Sequence, residues 1–104
     1  MTPEGKVKKR VKEILTEAGA YYHMSVPTGY GTPTLDFLVC YYGCFIAIEA
    51  KVPSEKPTLR QKATIKGIFT AKGKTLVEDG RDDCRALREL LSWVKHTYKQ
   101  CHAV

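Results

Sequence analysis

Asp36, Glu49 and Lys51 are the residues whose types and spacing could do chemistry. Between residues 21 and 48 the only formally charged side chain is Asp36; Glu49 follows that run directly, and Lys51 comes two residues later. A lone carboxylate in so apolar a stretch is costly to bury without a cation or hydrogen-bond donors. Strand side chains alternate between faces, so Glu49 and Lys51 project from one side and Ala50 from the other. A hairpin folded about Tyr42-Gly43 pairs Tyr41 with Cys44 and sets Asp36 opposite Glu49. A four-residue loop over Tyr41 to Cys44 keeps that register, whereas a three-residue loop would break it. Directly opposed Cβ atoms stand about 4.5–5.5 Å apart, where like charges repel. A hard divalent cation relieves the repulsion, because oxygen ligands of this kind suit Mg²⁺; a shared proton is the other possibility. The adjacent Lys51 favours ionised carboxylates and therefore the metal. A Glu-x-Lys string alone is common at solvated strand ends; an acid facing it, in an otherwise uncharged segment of a basic protein, points to a site.

The elements that must position these groups follow from pattern. Thr2 is a fitting N-cap with Pro3 at the first helical position, and Val7, Val11, Ile14, Leu15 and Ala18 recur on one face up to a stop at Gly19. Lys6, Lys8, Lys9, Arg10 and Lys12 occupy the other face, which on its own reads as solvated surface. Residues rich in β-branched and aromatic types predict strands over 21–26, 34–41 and 44–51, the last two as the hairpin. Pro53 and Pro57 bracket a polar loop, and Thr58 caps a second helix running to about Lys72. A fourth strand spans Lys74 to Glu78, Asp79-Gly80 makes a turn, and Asp82 or Asp83 starts a final helix with Cys84, Leu87, Leu91, Val94 and Tyr98 on one stripe. The order α-β-β-β-α-β-α predicts an α/β domain with a small mixed sheet flanked by helices. In the second helix, residues 61, 65, 68 and 72 share a face. Gln61 therefore lies in line with Ile65 and Ile68, and an inward amide needs a partner, either at the site or in the core.

The chain has 104 residues, the size of one domain spanning 1–104, and its 43% hydrophobic and 27% charged residues suit a folded protein. With 17 Lys and Arg against 11 Asp and Glu, the net charge is +6, which suggests a polyanionic partner, nucleic acid first. No apolar run is long enough for a bilayer and the basic start lacks the apolar stretch of a signal peptide, so a soluble intracellular protein without membrane association is expected. Cys40, Cys44, Cys84 and Cys101 lack zinc-knuckle spacing and are expected as free thiols. His23 reads as a structural strand residue, and His96 and His102 lie near the tail without partners. Residues 50–75 hold Lys51, Lys56, Arg60, Lys62, Lys66, Lys72 and Lys74 against the single acid Glu55. With the basic face of the first helix they form two cationic borders, whose phosphate contacts give affinity without sequence reading. Tyr30, in the loop Pro27 to Pro33, either stacks on an unpaired base or packs locally.

The run Gly31-Thr32-Pro33-Thr34-Leu35-Asp36-Phe37-Leu38-Val39, then Phe45-Ile46-Ala47-Ile48-Glu49-Ala50-Lys51, then Thr58-Leu59-Arg60-Gln61, resembles a PD-(D/E)xK nuclease. More narrowly, it resembles the stand-alone VRR-NUC domains common in bacteriophages, over Glu4 to about Val77. The family's Pro and Asp are commonly adjacent, whereas Thr34-Leu35 intervenes here. The resemblance implies a restriction-endonuclease-like core and Mg²⁺, with Mn²⁺ as substitute, held by Asp36, Glu49 and the backbone carbonyl of Ala50. It implies that Lys51 touches the scissile phosphate or the attacking water, that Gln61 supports the site, and that Glu4 is a first-helix acid reaching the metal directly or through water. Read by itself, Glu4 is a partner for the positive end of its helix. DNA would be held by Lys6, Lys9, Arg10, Tyr30, Lys56, Arg60 and Lys62. Compact viral members resemble Holliday-junction resolvases acting as homodimers on four-way junctions, in the cytoplasm of a bacterial host, and the stripe of the final helix would serve either as dimer interface or as packing on its own sheet. The function expected is a Mg²⁺-dependent, structure-selective endodeoxyribonuclease. Action on flaps, nicks or ends, and a non-catalytic basic DNA-binding module, are the alternatives.

Overall fold

The computed structural model describes residues 1–26 and 31–98. Tyr30, Cys101 and His102 lie outside the described residues. Among those described, helix and strand follow as α1 (Pro3–Ala18), β1 (Tyr21–Met24), β2 (Phe37–Tyr41), β3 (Cys44–Ala50), α2 (Leu59–Thr70), β4 (Lys74–Glu78) and α3 (Arg81–Tyr98). The four strands form one mixed sheet in the order β1-β2-β3-β4, antiparallel except for the parallel β3–β4 pair. This is the expected α/β architecture. No helix among the described residues is long and apolar enough to cross a membrane.

The central hairpin turns at Tyr42 and Gly43, both at positive φ (50° and 77°), as the tight turns that match strand twist require. Its register pairs Tyr41 with Cys44 and Phe37 with Ile48. The strands are shorter than expected: β1 ends at Met24 and β2 begins at Phe37. Asp36 therefore sits in a bend just ahead of β2, because its backbone N–H turns to the Glu49 side chain instead of continuing the ladder.

Alternation along β2 and β3 gives the sheet two unlike faces. Phe37, Val39, Tyr41, Cys44, Ile46, Ile48 and Ala50 point into the core with Val7, Val11, Ile14 and Leu15 of α1 and Cys84, Leu87, Leu91 and Val94 of α3. The α3 stripe is thus buried within its own chain and is not a free dimer face. Cys40, Cys44 and Cys84 are free thiols, the first exposed and the other two buried. Thr2 caps α1 by accepting from Gly5 N at 3.0 Å, and Gly19 ends the helix at φ 77°.

The other face carries α2, whose side chains are at most half-buried, Gln61, Thr64, Ile65 and Ile68 among them. A cleft of about 680 Å³ runs beneath it, lined by Pro33, Phe45, Ala63, Gly67, Ile68 and Gly73. The helix stops at Thr70, before the expected Lys72, since Lys72 takes φ 73° and Gly73 N donates to Ile68 O at 2.9 Å. A Cβ on Gly73 would stand 2.8 Å from Ile68 Cγ2 and 3.0 Å from Phe45 Cδ1, so close approach of the chain requires glycine there.

The start of α3 departs from expectation. Asp82, Asp83 and Cys84 are not a simple helical first turn but lie in the left-handed region, with φ of 53°, 56° and 54°. L-residues pay roughly 1–2 kcal/mol each for that conformation. Three fixed partners compensate. Arg88 donates to the carbonyls of Asp82 and Asp83, Arg10 forks onto the Asp83 carboxylate at 2.6 and 2.9 Å, and the buried Glu78 carboxyl accepts from Gly80 N at 2.7 Å and from Leu87 N at 3.1 Å. Glu78 is 1% exposed, and removing it leaves the buried Leu87 N–H without an acceptor. Glu78→Ala is therefore expected to lower stability by roughly 2–4 kcal/mol in urea denaturation; a loss below about 0.5 kcal/mol would show that the cap is dispensable.

Candidate functional site

Asp36 and Glu49 hold each other's backbone. Asp36 N donates to Glu49 Oε1 at 3.2 Å, and Ala50 N donates to Asp36 Oδ2 at 2.9 Å. One residue beyond the last ladder pair, the register thus brings the two carboxylates together on the face away from the core. The Asp36 carbonyl accepts from Ser25 N at 2.9 Å, which extends the β1 contact to the same residue. Ser25 Oγ is buried and has no hydrogen-bond partner among the described residues.

Gln61 completes a second link. Its Oε1 accepts from Thr58 N at 2.9 Å and Thr58 Oγ1 accepts from Gln61 N at 3.1 Å, the reciprocal capping box of α2. Nε2 of the same amide donates to Glu49 Oε2 at 2.6 Å. Both ends of the Gln61 amide are engaged, so its orientation is fixed. Lys51 lies on the same side of the strand as Glu49, with Nζ 3.9 Å from Glu49 Oε2. Both are nearly buried, Glu49 at 5% and Lys51 at 8% exposure.

The balance at Glu49 differs from expectation. Burial is the largest influence and the Asp36 charge the next; together they push the Glu49 carboxyl up to about 7. The Asp36 N–H and the Lys51 ammonium act in the opposite direction without reversing the shift, and Glu4 adds slightly to it. Lys51 therefore offsets the rise at Glu49 only in part, less than its proximity led one to expect. A divalent cation at the two carboxylates would offset it further.

Glu4 does not join the two carboxylates. It stands at the start of α1, paired with Lys8 one turn on (Nζ–Oε2 3.6 Å), and the same Lys8 Nζ lies 3.8 Å from Asp36 Oδ1. No group of three or more His, Cys, Asp or Glu side chains among the described residues is placed to hold a metal ion. Two carboxylates with one backbone carbonyl remain a donor set that suits Mg²⁺, an ion that keeps several of its waters and takes one or two protein carboxylates. The two carboxylates crowded together at Asp36 and Glu49 are what such a hydrated cation would answer.

Of the expected DNA contacts, Lys6, Lys9, Lys56, Arg60 and Lys62 are exposed. Arg10 instead clamps α1 to α3 through Asp83, with Glu13 and Glu17 also within ion-pair range at 3.5 and 3.8 Å. Tyr30 lies outside the described residues. Lys8 and Ser25 were not singled out by the sequence; the spacing of Lys8 one helical turn from Glu4 was a signal for the first, and nothing local marked the second. No family model, curated protein or solved structure matches this chain.

An acid whose folded pKa exceeds its unfolded value binds its proton more tightly in the fold, so stability falls as pH rises between the two values. For Glu49 that window runs from about 4.5 to about 7. The loss across it amounts to roughly 3 kcal/mol at most. Glu49→Gln is expected to flatten this slope in urea denaturation at stepped pH; an unchanged slope would mean that Glu49 does not titrate there.

Proposed function

We propose that this chain is a Mg²⁺-dependent, structure-selective DNA endonuclease of the PD-(D/E)xK type, acting on branched DNA and in first place on four-way junctions. The reading rests on one observation above all: Asp36 and Glu49 converge through reciprocal backbone hydrogen bonds, with Lys51 beside them. Binding alone gives no reason to bury Glu49 beside a half-buried Asp36 in a protein of net charge +6. Asp36, Glu49 and the Ala50 carbonyl would hold the ion. When bound, the ion lowers the pKa of a coordinated water and stabilises charge gathering on the phosphate.

The chain's own groups prepare the rest. Gln61 fixes the Glu49 carboxylate so that one orientation faces the substrate. Lys51, anchored by its backbone N–H to Glu78 O at 2.9 Å, sets an ammonium next to that carboxylate, where it favours an anionic transition state. Lys6 and Lys9 on α1 and Lys56, Arg60 and Lys62 around the start of α2 supply phosphate contacts. Symmetric nicking of a junction calls for two copies of the chain, and their contact must use a surface other than the buried stripe of α3.

The test compares four-way junction, flap, nicked and linear duplex DNA with Mg²⁺ and with EDTA. Cleavage that needs Mg²⁺, is fastest on the junction and falls roughly a hundredfold or more in Asp36→Asn and Glu49→Gln is expected. Faster cleavage of flaps or nicks would keep the nuclease and change its substrate. Tight binding in EDTA without cleavage on any substrate would leave a DNA-binding module.

A further inference from the structure

We infer that Lys8 is the resident counter-ion of the carboxylate pair, occupying the cation's side of the site and competing with a divalent ion for it. The inference deepens the metal reading of Asp36 and Glu49 and rests on it. Asp36 Oδ2 is engaged by Ala50 N, and both Glu49 oxygens have protein donors. The remaining oxygen, Asp36 Oδ1, faces Lys8 Nζ at 3.8 Å. Among the described residues, Lys8 thus answers the one carboxylate oxygen of the pair to which no backbone N–H or amide donates.

An ordinary helix-surface pair would stop at Glu4, one turn away, and contribute little. Lys8 goes further. Its ammonium joins α1 to the strand hairpin, reaching an acid 28 positions along the chain at the same time as Glu4. The charges around the site are three carboxylates, Glu4, Asp36 and Glu49, against two ammonium groups, Lys8 and Lys51. Without Lys8 the excess of carboxylates over ammonium groups in that cluster would rise from one to two, beside a half-buried Asp36. The separations of 3.6 and 3.8 Å are ion-pair distances without a hydrogen bond, and the Lys8 side chain is 31% exposed, so a long flexible stem can withdraw the ammonium into solvent at small cost. Lys51, at 10% side-chain exposure and fixed by the strand, lacks that freedom.

The experiment measures binding of Mn²⁺ alone to the full chain by electron paramagnetic resonance, at pH 8 and without DNA. Lys8→Met keeps the aliphatic stem and removes the charge; it is expected to tighten Mn²⁺ binding about fivefold, a screened fraction of the Coulomb repulsion at this range. Lys8→Arg, which keeps the charge, is expected to stay within about twofold of the parent chain. Asp36→Asn is the control and should weaken binding at least about tenfold. Unchanged or weaker Mn²⁺ binding in Lys8→Met, with the Asp36→Asn loss intact, overturns the counter-ion role and leaves the metal reading standing. Binding that Asp36→Asn does not alter, or no binding by the parent chain and Lys8→Met alike, overturns both.

Discussion

Two backbone amides aimed at two side-chain carboxylates hold this molecule's candidate chemistry in place. Asp36 N reaches Glu49, and Ala50 N reaches Asp36, so each acid restrains the segment that carries the other. The arrangement costs a ladder hydrogen bond at the mouth of the hairpin and sets two like charges together in a nearly dry setting. It persists because the hairpin register leaves no alternative: slipping by one residue would turn Glu49 into the core beside Phe37 and Ile48. The positive φ of Tyr42 and Gly43, at the far end of the hairpin, therefore governs the meeting of two acids at the near end.

What was legible in the sequence was local. The turn at Tyr42-Gly43, the alternation that follows it, Thr2 and Thr58 as helix caps and Gly19 as a stop are each decided within a few residues, and the structure has them in place. The inward position of Gln61 was readable from helical spacing; its bond to Glu49 was not, because it depends on how α2 lies across the sheet. The same holds for Arg10. On a helical wheel it is one more basic surface residue, and only the packing of α1 on α3 brings it to Asp83. The left-handed turn over Asp82 to Cys84 was hidden for a similar reason: Asp82 and Asp83 are good N-cap types, and it is long-range partners, Glu78, Arg88 and Arg10, that stabilise the less favourable conformation.

Glu49 of the site and Glu78 beneath α3 are both buried, in different surroundings. Glu78 accepts two backbone N–H groups, which makes it a structural cap. Glu49 is also hydrogen-bonded, yet its burial first and the Asp36 charge second push its carboxyl up to about 7.

No side chain of α2 belongs to the buried core shared by α1, α3 and the strands, although Gln61, Thr64, Ile65 and Ile68 are half-buried. Lifting the helix would leave that core in place, at a free energy below that of global unfolding. Gln61 would leave with the helix, and Glu49 would lose its fixed orientation while the sheet beneath stayed intact. Disassembly of the candidate centre and denaturation of the domain are thus separable events.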